Sequence, residues 1–321
     1  MHIIKCDNMK KRYKDILIIC FIIYLFIIII LQKELIFNTI SYSLNLWVKT
    51  LIPTMFPAFI ISDILISYNI TNYIPNHLKK LFRTLFNTNE NTITIFFLSL
   101  LSGFPSNARI INLMYEKNQI TKEEGEHALI FTHFSNPIFI LSTISLKFLH
   151  NESFGYIILV SHILGNIILG ILVRNYSHNN HVNYTKKKNN CQNFSQILIN
   201  SIKHTIDSLL LILGTLTCFL IISSLIIHHI NISPYTNSII KGILEITMGL
   251  KSLSLLNIPN IYKVVISCMF ISFGGLSIHM QIISQITDLN IKYHKFLLAR
   301  IIHSIISGTI CFILYILIYT K

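Results

Sequence analysis

Long apolar runs, separated by short polar stretches, set the pattern of this chain. A basic flank of Lys5, Lys10, Lys11, Arg12 and Lys14 leads into an uninterrupted run from Ile16 to Leu31. No small-residue cleavage site follows it, so the pattern predicts a first membrane helix with a cytoplasmic N-terminus rather than a removable signal. A second span is predicted over about Leu44–Ile66, kinked where Pro53 and Pro57 remove two backbone donors, with Thr50 and Thr54 placed to re-satisfy the freed groups. Asp63, near its end, reads either as interfacial or as a lone buried acid. Lys79, Lys80 and Arg83 set among Leu78, Leu81, Phe82, Leu85 and Phe86 predict a short amphipathic helix lying in a cytoplasmic interface.

The stretch from Thr94 to Pro137 behaves differently. It opens as a membrane-grade apolar run and breaks at Gly103–Phe104–Pro105, with Ser106, Asn107 and Arg109 directly after. A mixed-charge helix is expected around Glu116–Glu126, and Thr121 with Glu124 has the form of a capping box opening the next helix. The chain re-enters through a second break at Ser135–Asn136–Pro137. In lipid, non-helical backbone must be satisfied by protein or by a water-lined cavity, so these breaks are candidate binding elements. Spans at about Ala128–Phe148 and Phe154–Val173 follow, joined by a turn at His150–Asn151–Glu152.

Residues 174–194 read as a polar, basic cytoplasmic linker. His178 and His181 within it lack a carboxylate or Cys partner, so no metal site is expected there. The second half carries an apolar run from about Ile206 to Ile230, a polar break at Asn231–Ser233–Pro234 and a weaker amphipathic stretch over Ile239–Leu256. A Gly-broken segment over Val264–Gln281 and a last helix over about Phe296–Tyr319 complete it. The expected fold is an all-α polytopic membrane protein with about eight hydrophobic segments.

Composition agrees. Hydrophobic residues make up 52% of the chain and charged ones 12%, where a soluble domain carries roughly 25% charged residues. The net charge of +13 could suggest nucleic acid. Basic residues concentrated in cytoplasmic loops account for it, and no aromatic-interleaved basic patch argues otherwise. Cys6, Cys20, Cys191, Cys218, Cys268 and Cys311 form no C-x-x-C pair and read as small buried hydrophobes.

The two halves echo each other. Val48–Ile66 and Leu209–Ile227 end in similar runs, Phe59–Ser62 against Leu220–Ser223. An interrupted segment follows each, LSLLSGFPSNAR in one half and CMFISFGGLSIHMQ in the other. Paired broken segments point to a transporter-type site at the interface of inverted repeats. If the first is a re-entrant hairpin, the basic loops all fall inside and the repeats are inverted. The implied division is 1–42 for the basic flank and first helix, 43–173 and 195–321 for the repeats, and 174–194 for the linker.

Several stretches carry a specific resemblance. S-G-F-P-S-N-A-R from Ser102, F-T-H-F-S-N-P-I-F-I-L from Phe131, S-H-I-L-G-N from Ser161, and F-G-G-L-S-I-H-M-Q from Phe273 with F-L-L-A-R from Phe296 occur in this order. Together they resemble the YlbJ-type sporulation integral membrane proteins, part of the wider Gate or nucleoside-recognition group. The similarity covers about Ser43 to Ser307. It implies a role in endospore formation, in a bacterial cell membrane, without implying a ligand. Asn107 stands where the family has a second glycine, and His133–Phe134 where it has paired asparagines.

Residue by residue, Gly103 and Pro105 break the helix. Asn107 and Arg109 could hold an anion or a polar edge, although Arg109 could equally snorkel to the interface. Asn136, beside Pro137, offers both donor and acceptor to a neutral solute. His133 and His162 are ionisable groups at apolar depth, where a site and a hydrogen-bonded structural role compete. Gly274 and Gly275 with Ser277, His279 and Gln281 form the counterpart; the alternation of the three polar residues suggests an extended, cavity-lining segment. Arg300 reads as an interfacial anchor.

No zinc-protease helix, nucleophile elbow or phosphate loop is present, so neither an enzyme nor a cofactor is expected. The expected partners are the lipid bilayer and a small polar solute, with a second copy or other sporulation membrane proteins as further candidates. A non-transporting scaffold for spore envelope assembly is the alternative, and an intramembrane hydrolase a weaker one.

Overall fold

A computed structural model describes residues 2–175, 193–229, 232–286, 289 and 292–319. His178, His181 and Lys186–Lys188 of the linker lie outside the described residues, as do the side chains of Cys6 and Cys191. All regular structure among the described residues is helical.

Helix α1 (His2–Leu31) precedes α2 (Lys33–Leu46), which runs through a π-helical turn, Trp47–Leu51, into α3 (Ile52–Ser67). Pro53 and Pro57 both lie inside the continuous helical span Lys33–Ser67, just after the π-helical turn. Thr54 Oγ1 donates to Thr50 O at 2.8 Å, taking up a carbonyl released by the irregular turn. The amphipathic helix forms as expected: α4 (Asn76–Phe86) buries Phe82 and Phe86 and leaves Leu78, Leu81 and Leu85 outward.

Four short helices follow in two pairs. Helices α5 (Thr92–Ser102) and α6 (Ser106–Glu116) pack on one another across the Gly103–Pro105 turn. Helix α6 ends at Glu116, and α7 (Lys122–Phe131) starts afresh, so the expected continuous helix over 116–126 is replaced by a turn through Asn118 at φ 53°. The capping box is present: Glu124 N donates to Thr121 Oγ1 at 3.2 Å and Thr121 N to Glu124 Oε2 at 2.8 Å. After an irregular stretch over 132–136 the chain continues as a π-helix, Phe139–Phe148, and α8 (Glu152–Leu172).

The second half starts on a long helix, folds back through a short pair and ends on two long spans. Long α9 (Phe194–His229) precedes α10 (Pro234–Leu244) and α11 (Ile246–Ser254), which fold back on each other. Their crossing is tight, for a Cβ on Gly249 would overlap the Gly242 backbone. Then come α12 (Asn260–Phe273), α13 (Gly275–Gln285), which continues the same 26-residue span, and α14 (Tyr293–Tyr319). This placement revises the sequence echo. Gly103 lies in the first broken pair of its half and Gly274 in the second, and the folded-back pair of the second half turns at Glu245 instead.

Among the described residues, five helices are long and apolar enough to cross a bilayer: Lys33–Ser67, Glu152–Leu172, Phe194–His228, Asn260–Gln285 and Tyr293–Tyr319. Asp15–Leu31, Thr92–Ser102 and Phe139–Phe148 are shorter apolar helices. The outward Ile, Leu and Phe side chains of α1, from Ile16 to Leu31, suit a hydrocarbon surround. Cys20 and Cys218 also face outward, contrary to the expectation of burial, while Cys268 and Cys311 are buried.

Elements divide by packing into two sets. Helices α2 and α3 pack on α9, while α8, α12 and α14 pack on one another and receive the π-helix and α7. Between the sets run α5–α6, α10 and α13, touching α3 or α9 on one side. Phe86 stacks on Phe131 at 4.8 Å, and the missing side chain of Gly170 makes room for it, which fastens α4 to α7 and α8.

Candidate functional site

The broken helices raise an accounting question. Each interruption releases backbone N–H and C=O groups that an apolar interior cannot leave unpaired. At Gly103 the chain adopts φ 76°, open to glycine at little cost, and runs so close to the second break that a Cβ would strike the Asn136 backbone. The Phe104–Pro105 bond is cis. Ser102, Ser106 and Gly103 O form a closed set of hydrogen bonds across the turn. Asn136 joins the two breaks: its Nδ2 donates to Ser102 O at 3.3 Å, and its Oδ1 accepts from Ile138 N at 2.8 Å. Pro137 is the first helical residue after the break, a position where no donor is needed.

Side chains from α8 and α14 serve the rest. Asn166 Nδ2 donates to His133 O at 2.8 Å, and Arg300 Nη2 donates to Ile130 O. His162 Nε2 accepts from Ser135 N at 3.0 Å, which leaves its Nδ1 to donate to Ser272 Oγ at 2.9 Å. One imidazole thus ties the break after α7 to the end of α12. At that end Gly274 and Gly275 take φ 93° and 67°, and His279 Nε2 donates to Phe273 O at 2.9 Å. Its Nδ1 then accepts from Tyr293 Oη at 3.1 Å.

Three sequence expectations are corrected here. Arg300 is fully buried, not an interfacial anchor, because the freed carbonyl of Ile130, Asn166 Oδ1 (3.5 Å) and His303 Nδ1 (3.1 Å) accept from it. Ser277, His279 and Gln281 lie on helix α13, not on an extended strand. Ser277 and Gln281 share one face, with Gln281 Nε2 on Ser277 Oγ at 3.4 Å, while His279 serves another; the alternation arises because both faces are buried. Arg109 does not snorkel, and Asp63 is not alone. The two form a buried ion pair between α6 and α3, supported by Arg109 Nη1 to Thr205 Oγ1 at 3.3 Å.

Two candidates remain without hydrogen-bond partners. Both side-chain polar atoms of Asn107 and both ring nitrogens of His133 are buried and unpaired. His133 stacks on Phe104 at 4.8 Å and meets the edge of Phe296 at 5.6 Å.

A narrow cavity with about 40 Å³ of accessible space opens where the broken elements meet α3 and α9. Its polar lining is Thr54, Ser135, Asn136, Glu245, Thr247 and Gln281; its apolar wall includes Phe104, Phe139, Ile212 and Ile278. Of the sequence candidates, Asn136 and Gln281 line it, and Gly103 and Pro105 set the turn that presents Phe104. Asn107, Arg109, His133, His162, Ser277 and His279 do not line it. Ser135 Oγ is buried there with no partner. Sequence reasoning passed over Glu245, whose signal was a lone carboxylate in an otherwise apolar, Ile-rich stretch.

A second cleft, more polar and roomier at about 210 Å³, lies between α6, α9 and the end of α13. Arg109, Glu116, His204, Asp207 and Gln285 line it. Nearby, Lys117 Nζ donates to Ser67 Oγ at 3.2 Å; burial lowers its pKa while Asp63 and Glu116 oppose that shift.

These features define a helical membrane protein whose interrupted segments meet at a partly polar internal cavity. The chain is 23% identical over 262 residues to the sporulation integral membrane protein YlbJ of Bacillus subtilis (strain 168). The match covers 70% of this chain and 64% of that relative, so the chain spans less than two thirds of its length. The chain is a distant homologue of that protein, and its apolar helices are those of a multi-pass membrane protein. No family model matches the chain, and no solved structure matches it.

Proposed function

We propose that the chain is a sporulation-associated membrane protein that binds, and moves across the bilayer, a small polar solute held in the cavity between the broken elements and α3–α9. The carrying observation is the cavity itself. It gathers the α5–α6 turn, the 132–136 break, the α10–α11 turn and α13 in one place, and its buried Ser135 hydroxyl has no partner. Half-helix ends around a polar pocket are the form in which membrane carriers hold solutes.

Element order supports reading the halves as inverted repeats, with α3 matched to α9, α5–α6 to α10–α11, α7 and its π-helix to α12–α13, and α8 to α14. The resemblance to the Gate or nucleoside-recognition group fits this reading, which needs no covalent chemistry and no cofactor. Further proposed partners are lipid and, in assembly, a second copy or other sporulation membrane proteins.

The test is to express Ser135→Ala, Gln281→Ala and Thr54→Val singly in a sporulating host lacking its own copy. The expected outcome is loss of spore heat resistance at unchanged protein level and localisation, with Tyr156→Phe, on the exposed face of α8, as the unaffected control. Normal heat resistance in all three would favour the non-transporting scaffold.

A further inference from the structure

The narrow cavity and the polar cleft lie along the same helices. On α9, Ile212 lines the cavity while Ser208 and Leu211 line the cleft. On α13, Gln281 lines the cavity and Gln285, about one turn further on, the cleft. The cavity, at about 40 Å³, has room for only a few waters, whereas the cleft offers about 210 Å³. A solute larger than water reaches the cavity only when the elements around it part.

What separates the two is built in layers on facing stretches of α3 and α9. Met55 and Ile212 line the cavity. The next residues on the same helix faces, Phe59 and Leu209, pack with them in one apolar cluster, and Phe59 is 1% exposed. Beyond these, Asp63 and Thr205 both hold Arg109 of α6, one as an ion pair and the other through its Oγ1 at 3.3 Å. The guanidinium lies 5.3 Å from the centre of the Phe59 ring, and Arg109 also lines the cleft.

The charges around this contact allow it to be exchanged rather than simply broken. Asp207, exposed on α9, is near enough to act on Arg109 through its charge. Lys117 and His204 act likewise on Asp63, and Lys117 Nζ already donates to Ser67, one turn along α3. Arg109 can pass to Asp207 while Asp63 passes to Lys117. Neither charge is then stranded, the outcome that makes breaking a buried pair costly.

Resting on the solute-binding reading above, we infer that the cleft is the mouth of the cavity and Arg109 the latch that closes it. In this structure the latch is shut: Arg109 ties α3 to α9 above Phe59. Its release from Asp63 and Thr205 lets the Phe59 layer part and admits the solute.

Thiols on either side of the latch test this. Ser135→Cys reports on the cavity and Asn112→Cys on the cleft, each in the purified full-length chain. Both are treated with 2-sulfonatoethyl methanethiosulfonate, and modification is followed by mass spectrometry on the peptide carrying the new thiol. With the latch intact, Asn112→Cys is expected to react and Ser135→Cys to lag well behind. Thr205→Val removes one neutral hydrogen bond and should speed reaction at Ser135→Cys about fivefold. Asp63→Asn with Arg109→Gln removes the stronger charge-assisted contact and should speed it roughly tenfold or more. That double change leaves the net charge of the mouth unaltered, so the rate reports opening rather than attraction of the reagent. Thr205→Val, the milder change, carries the test should the double variant fold poorly. A Ser135→Cys rate that matches Asn112→Cys with the latch intact overturns the latch and leaves the cavity reading standing. So does a measurable rate that Thr205→Val does not change. No reaction at Ser135→Cys in any variant until the chain is denatured shows a cavity closed to water and overturns the solute-binding reading as well.

Discussion

At the scale of single residues, the structure answers its own breaks with buried polar side chains. Arg300, His162 and His279 looked like ligand groups or an anchor, and each, like Asn166, is bonded to backbone or to a neighbour at an interruption. That role was illegible because a sequence shows which residue is polar but not which distant carbonyl has been freed. Arg109 and Asp63, 46 positions apart, are the same lesson in charge. Their side chains are each 7% exposed. Removing one partner strands the other, so Arg109→Ala is expected to destabilise the fold by about 3–5 kcal/mol. Replacing both, as Asp63→Asn with Arg109→Gln, should recover a substantial part of the loss, since neither charge is then buried unpaired. A double-mutant cycle from unfolding in mixed detergent checks this. Additive losses would show that the pair does not couple.

At the scale of elements, what was legible followed punctuation and period. Gly103, Pro105, Pro137 and the Gly274–Gly275 pair each mark a real interruption, because such residues stop or redirect helices through local sterics alone. The amphipathic α4 was readable from its spacing and the start of α7 from Thr121 and Glu124. Thr121→Ala should cost about 1 kcal/mol of stability. The same cycle with Glu124→Ala should show strong coupling, because each side chain serves the other's backbone. Thermal melting of the purified variants measures both, and an unchanged midpoint for Thr121→Ala would show the cap to be idle. The α10–α11 turn was missed for the opposite reason. Leu244–Glu245–Ile246 contains neither Gly nor Pro, and the turn is made by an extended Glu245 at φ −144°, ψ 118° whose side chain caps the helix that follows. A local pattern cannot announce a turn held by its own polar side chain.

At the scale of the molecule, charge and folding-back together predict an orientation that can be tested. Basic residues cluster at residues 5–14, on α4, and in the 174–194 linker. Such clusters favour the cytoplasmic side. All three can lie there only if an even number of crossings separates the first from the last. Helices α5 and α6 pack on each other, so they are counted as a hairpin that enters and returns. The crossings before the linker are then α1, α2–α3, α7 with its π-helix, and α8. Were α5–α6 a crossing of its own, the linker would be external, with its lysines on the disfavoured side. In the second half α10–α11 also folds back, leaving α9, α12–α13 and α14 as crossings. A reporter at the N-terminus and one inserted within 174–194 are therefore expected to read as cytoplasmic, and one placed after Lys321 as external. Because α2–α3 would then run inward and α9 outward, the same result supports the inverted relation of the halves. A linker reporter that reads external would show that α5–α6 crosses the bilayer. The cavity would then lack its re-entrant wall, and the carrier reading would lose the element on which it turns.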